Sequence, residues 1–372
     1  MSNLLPTTRY KSLAATCRLA LAMALTAFVA GCGSVPYYAQ AIGGQLEIWR
    51  LRVPIDDAIN DESVDQETRR RLELVRDARA FAHQALGLPD NGSYRHFADI
   101  GREYVVWNVF VAPRFGLEPK QSCFLFAGCF SYRGYFSKSS AEAYAREHRQ
   151  LGLDVYIGGV SAYSTLGWFD DPVLSTLLHY DDEQLVETLF HELAHEWLYV
   201  KGDTSFNESF AVVVAEHGLS TWLRNQGQAP ARHSWNRYQQ ILKMVLAARD
   251  QLEVLYGSKY SDGQMSERKA SVFRTMHGHY ARLKAEWGGY SGYDRWMEQP
   301  WNNAKLASVS TYSDWVPYLR AILMQQHQDL MRFGESVADL GQLPSATRQV
   351  CLSGFTEQHY LSPCPDRFRV KN

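Results

Sequence analysis

His191-Glu192-Leu193-Ala194-His195 sets two imidazoles four residues apart, with a carboxylate beside the first. In a helix, residues four apart share a face, so both rings can reach one cation. Neutral imidazoles suit Zn²⁺. Glu192 beside them can take a proton from a water that the ion polarises. The pentad lies in residues 185–199, whose patterning is helical, so this geometry is expected. The same spacing also occurs in helices that hold no metal, where the histidines are solvated or hydrogen-bonded in a core.

A catalytic zinc site wants a third protein ligand and an open position. Thirteen residues after His195 comes Glu208, in Asn207-Glu208-Ser209-Phe210-Ala211. Lys201-Gly202-Asp203 reads as a reversal, with Gly202 as C-cap of one helix and Thr204 or Ser205 as N-cap of the next. The two helices then run antiparallel about residue 202. His195 lies seven residues before that point and Glu208 six after it, which at about 1.5 Å per residue puts them at nearly the same height. Glu216 competes as ligand, but it lies roughly 10 Å further along the helix. It fits better as the acceptor for the other ring nitrogen of His191.

The elements that must position these residues follow from patterning. Residues 65–86 have helical spacing and stop at Gly87-Leu88-Pro89. Residues 104–111 are rich in β formers, 123–136 form a second β region, and 154–165 read as a strand broken by Gly158 and Gly159. Ser139 and Glu142 form a capping box for a helix that runs to about Leu151. Helices are expected at 182–200, 204–225, 234–256, 265–286 and 312–334. Strands first and helices later indicate an α+β fold. We read one domain over 51–372, with a β-containing part to about 180 and a helical part over 181–372.

The pentad together with Asn207-Glu-Ser-Phe-Ala211 resembles the gluzincin metallopeptidases, whose aminopeptidase members carry a similar Asn-Glu-Gly-Phe-Ala around the third ligand. The resemblance departs in spacing: only 12 residues separate His195 from Glu208. More broadly the chain resembles a family of bacterial lipoproteins described as putative aminopeptidases. The resembling stretches are Phe97-Ala-Asp-Ile-Gly-Arg-Glu-Tyr104, Ser131-Tyr-Arg-Gly-Tyr-Phe136, Ala162-Tyr-Ser-Thr-Leu-Gly-Trp-Phe169, the histidine motif and Asn302-Asn-Ala304. It implies a zincin-like fold, one Zn²⁺ held by His191, His195 and Glu208, and peptide hydrolysis with Glu192 as general base. It also implies a downstream Tyr or His donor to the oxyanion. Tyr312 is the choice, with Tyr199, Tyr290, His277 and His279 as rivals.

Substrate in such enzymes usually pairs with an edge strand. Gly158 and Gly159 would let a ligand backbone approach, or they mark a bulge of the scaffold. Tyr163 and Trp168 line the cleft or pack in the core. Arg133 binds a substrate carboxylate or pairs within its own loop.

The N-terminus reads as an address. Residues 1–18 carry Arg9, Lys11 and Arg18 and no acid, and an apolar run of 12 residues ends at Ala30. That run is short for a membrane span and right for a signal-peptide core. Val29-Ala30-Gly31-Cys32 resembles a lipobox, which implies cleavage after residue 31 and acylation of Cys32. Residues 32–50 then read as a tether. Gly33 in place of an Asp leans toward the outer membrane, facing the periplasm.

The mature chain would hold 35 basic and 40 acidic residues, a formal charge of −5. Such a balance shows no nucleic-acid footprint, and the single apolar run excludes a polytopic membrane protein. In an oxidising compartment, Cys123, Cys129, Cys351 and Cys364 are expected in disulfides. Local pairing is the simplest of three connectivities, and a four-cysteine zinc site fits the spacings poorly. The function expected is zinc-dependent hydrolysis of a peptide or protein by a membrane-anchored lipoprotein, as an aminopeptidase. An endopeptidase of the envelope, or a binding protein with a degenerate site, remain alternatives.

Overall fold

The computed structural model describes residues 35–124, 128–162, 169–229, 232–310, 315–356 and 364–369. The chain divides into two compact units, Met1–Arg50 and Leu51–Asn372. Within the first, the expected tether is mostly one helix, α1 (Val35–Leu51). Cys32 lies outside the described residues, as do the signal-peptide residues. Among the described residues no helix is long and apolar enough to cross a membrane.

The second unit is mixed, with small sheets first and helices after. β1 (Arg52–Pro54) pairs antiparallel with β2 (His96–Ala98), which pairs parallel with β8 (Val173–Leu174). A second sheet has the order β6 (Arg133–Tyr135), β3 (Val106–Ala112), β7 (Asp154–Val160), all antiparallel. β4 (Ser122–Phe124) and β5 (Gly128–Phe130) form a hairpin with Cys123 opposite Cys129, and these two form a disulfide. The second disulfide joins Cys351 to Cys364. Both pairings are the local ones.

Among and after these strands come helices α2 (Ile55–Asn60), α3 (Gln66–Gln84), α4 (Lys138–Gln150), α5 (Asp182–Trp197) and α6 (Thr204–Asn225). The cap of α4 is Ser137, which accepts from the Ser140 amide, and not the expected Ser139. Beyond α6, α7 (Arg232–Tyr256) and α8 (Asp262–Glu286) form a long hairpin, followed by α9 (Asp294–Glu298) and α10 (Asn303–Ser310). The helix expected over 312–334 is instead α11 (Val316–Gln325) and the start of α12 (Leu330–Gly341). His327 and Gln328 between them have φ of 55° and 62°, a left-handed turn no α-helix tolerates. α13 (Ser345–Thr356) has no counterpart in the patterning.

Packing explains where the site sits. Leu185, Val186, Leu189, Phe190, Leu193 and Ala194 make one buried stripe on α5 at helical spacing. They meet Phe206, Phe210, Val213 and Val214 of α6, α3 behind, and α11 and α12 below in one core. A Cβ on Gly218 would lie 2.7 Å from the Phe190 ring, so the two helices approach closely there. Phe210 stacks on Phe333 of α12 at 5.7 Å between centroids. The α7–α8 hairpin has its own core around Met244, Leu252, Phe273 and Met276. Asn303 ties α10 to the sheet: its amide nitrogen donates to the carbonyls of Pro113, Arg114 and Gly116, and its backbone N–H to Asp154.

Candidate metal centre

α5 begins at Asp181, whose carboxylate accepts from the Gln184 amide, with Asp182 and Glu183 in the first turn. Acids there complement the helix dipole. The helix ends at Trp197, and the chain reverses through Gly202 at φ 79°, a conformation that favours glycine. Asp203, and neither Thr204 nor Ser205, caps α6 by accepting from the Phe206 amide at 3.2 Å. Asn207 then clasps the segment that follows α5. Its side chain accepts from the Val200 amide at 2.7 Å and donates to the Val200 carbonyl at 2.8 Å. The residue before Glu208 thus fixes the turn that delivers it.

The helix pair brings three donors to one point. His191 Nε2 lies 3.2 Å from Glu208 Oε2, His195 Nε2 3.1 Å from His191 Nε2, and His195 Nε2 3.5 Å from Glu208 Oε2. Bonds of about 2.0–2.1 Å in a tetrahedron put neighbouring donors about 3.3–3.4 Å apart, and these three spacings bracket that value. Nitrogen, nitrogen and carboxylate oxygen are also the donor types zinc takes. The residues therefore fit a single metal ion. His195 and Glu208 are buried and His191 is half-buried, so the site is open on one side.

Electrostatics agree with a site built around a positive charge. Burial by itself raises the Glu208 carboxyl, but His195 and His191 outweigh it and hold the group at about 2. Burial pulls His195 down, and the carboxylates of Glu208 and Glu192 more than reverse this, for a net rise. Burial pushes the Glu192 carboxyl up, against the pull of His191 and His195. A carboxyl with raised proton affinity next to two imidazoles that could hold a metal suits proton transfer.

A scan against family models matches residues 36–352 to one described as putative aminopeptidase. The chain belongs to the putative aminopeptidase family. No curated protein and no solved structure matches it.

Other expected residues of this aminopeptidase-family chain fall differently. Glu216 is not drawn to His191: Arg320 of α11 grips it, with Nη2 to Oε1 at 2.7 Å and Nε to Oε2 at 3.0 Å. The ladder between β3 and β7 runs without interruption from Val106–Val160 to Ala112–Asp154, so Gly158 and Gly159 form no bulge. β7 is an edge strand of its sheet, as expected. The want of a side chain at Gly159 makes room for Tyr104, whose ring a Cβ would approach to 2.4 Å. The guanidinium of Arg133 stands over the rings of Tyr135 and Tyr144, at 5.7 and 5.2 Å. Tyr312, Tyr163 and Trp168 lie outside the described residues.

Tyr199 is half-buried near Glu208, and burial first, then that carboxylate, raises its phenol. His277 is exposed and His279 half-buried on α8.

Proposed function

We propose that the chain is a zinc peptidase whose ion is held by His191, His195 and Glu208. The observation that carries this reading is the near-tetrahedral spacing of those three donors beside Glu192. When bound, the ion lowers the pKa of a water and polarises the scissile carbonyl. Glu192 accepts the proton of the attacking water and later gives it to the leaving amine. Its raised proton affinity supports both halves of that cycle. Tyr312 is the proposed donor to the oxyanion, with Tyr199, near Glu208, as a rival.

We further propose that Cys32 is acylated after removal of residues 1–31 and anchors the enzyme in the bacterial envelope, where peptides or proteins are its substrates. Cys32→Ser should move the protein from the membrane to the soluble fraction. Glu192→Gln tests the chemistry. Bound zinc should remain stoichiometric by elemental analysis, while kcat falls by about 10²–10⁴, the usual contribution of a positioned base. Turnover retained within tenfold would overturn the assignment.

A further inference from the structure

Tyr38, Ile42 and Leu46 of α1 are 40%, 60% and 41% exposed. Each follows the last by four residues, so the three form a row on one face of the helix. Ala39 and Gly43, beside that row, are exposed as well, while Gly44 and Ile48 on the other side are buried. Among the described residues no other helix leaves three large apolar side chains exposed. Single exposed apolar residues are ordinary, whereas a contiguous apolar row marks a surface that meets something other than water.

The sequence around the row narrows what that is. Residues 33–46 contain no charged side chain, and Glu47 and Arg50 after them are one of each sign. A partner recognised by charge finds nothing to hold here. The row runs about 12 Å, eight residues at about 1.5 Å each. Three side chains over that length cover far less than the roughly 800 Å² per partner of a stable dimer. A bilayer needs no such area if the helix is already held against it. Cys32, read as the acylated residue, stands three positions before Val35. At about 3.3–3.6 Å per residue, α1 starts within roughly 11 Å of that thiol. A headgroup layer is itself about 5–8 Å deep, so the first turns of α1 begin at the bilayer surface. The helix is not long and apolar enough to cross. A helix with one apolar face and no capacity to span lies in the interface. Tyr37 and Tyr38, with ring centroids 5.7 Å apart, bring the aromatic rings that favour headgroup level.

We propose that α1 lies along the bilayer surface with Tyr38, Ile42 and Leu46 seated among the lipid headgroups, as a second attachment beside the acyl chain. The inference rests on the reading of Cys32 as acylated and goes beyond it. Two attachments hold a protein to a membrane far better than one acyl chain does. Because the row carries no charge, apolar burial drives the seating, and lipid charge and salt have little effect on it.

The full chain, produced with its leader in bacterial cells, is reconstituted in phosphatidylcholine vesicles with and without phosphatidylglycerol. Mass spectrometry reports whether Cys32 is acylated. In the processed chain an introduced cysteine is the single free thiol, since Cys17 leaves with the leader, Cys32 carries lipid and the other four are paired. Ile42→Cys, Leu46→Cys and, off the row, Glu47→Cys each take a nitrobenzoxadiazole label, and lipid carrying a nitroxide near the headgroup serves as quencher. Labels at 42 and 46 should be blue-shifted and quenched several-fold more than the label at 47, equally in both kinds of vesicle. An acylated, vesicle-bound chain whose labels at 42 and 46 are quenched no more than at 47 overturns the seated helix and leaves the anchor standing. A blue shift without quenching means that a second copy covers the face, and overturns it too. An unacylated chain that still binds and is quenched at 42 and 46 keeps the helix and overturns the anchor. An unacylated chain that does not stay with the vesicles overturns both.

Discussion

Arg348 of α13 places two guanidinium nitrogens on one oxygen of Asp203, at 2.7 and 3.1 Å. Asp203 is the cap that starts the Glu208 helix, so a residue 145 positions downstream steadies the start of that helix. Arg348 also donates to the Gly341 carbonyl at 2.9 Å and to that of Leu343, which ties α12 to the same turn.

Both partners are buried, with side-chain exposures of 5% and 10%. Removing one strands the other charge, a loss of about 3–5 kcal/mol. Arg348→Ala should lower unfolding free energy by that order in urea titrations, and should weaken zinc binding as the cap loosens. An unaltered zinc affinity would separate the turn from the metal site.

The metal-free site has its own pH dependence. Glu208 is held at about 2, below its ordinary 4.5, so its contribution to stability is present above 4.5 and fades as pH falls toward 2. His195 is raised above 6.5, so its contribution is full below 6.5 and is lost as pH rises through the folded value. Zinc needs the neutral ring and competes with that proton. The rise in melting temperature on adding zinc should therefore be larger at pH 8 than at pH 6. Equal rises would place the metal elsewhere.

Gly218 faces the Phe190 ring, with Leu86 Cδ1 3.0 Å from where a Cβ would sit. Alanine favours helix by up to about 1 kcal/mol. Overpacking a tight core costs about 1–3 kcal/mol. Gly218→Ala should thus be net destabilising, or at best neutral, in chemical denaturation. Clear stabilisation would show that the α5–α6 contact yields freely.

Glu187 is raised from 4.5 to about 7, so the folded chain holds this proton more tightly than the unfolded chain. Stability is then lost as pH rises from about 4.5 through about 7. Glu187→Gln removes that loss. Thermal unfolding should show the variant equal to wild type below about pH 4 and more stable at pH 8. A difference independent of pH would put the carboxyl in ordinary solvent contact.

The sequence by itself determined the helix pair and the three side chains it brings together. Residues 191, 195 and 208 are joined by helical periodicity and a short reversal, and that information is local. The separation of strands from helices and the local disulfides were legible for the same reason. Tertiary structure decided what surrounds them. Arg320 claims Glu216, Arg348 claims Asp203 and Tyr104 fills the space beside Gly159, each from a distant element. The left-handed turn at His327 and Gln328 splits a stretch whose apolar spacing reads as one helix. Side-chain partners far apart in the chain are chosen by how packed elements meet, and spacing along the chain does not record that choice.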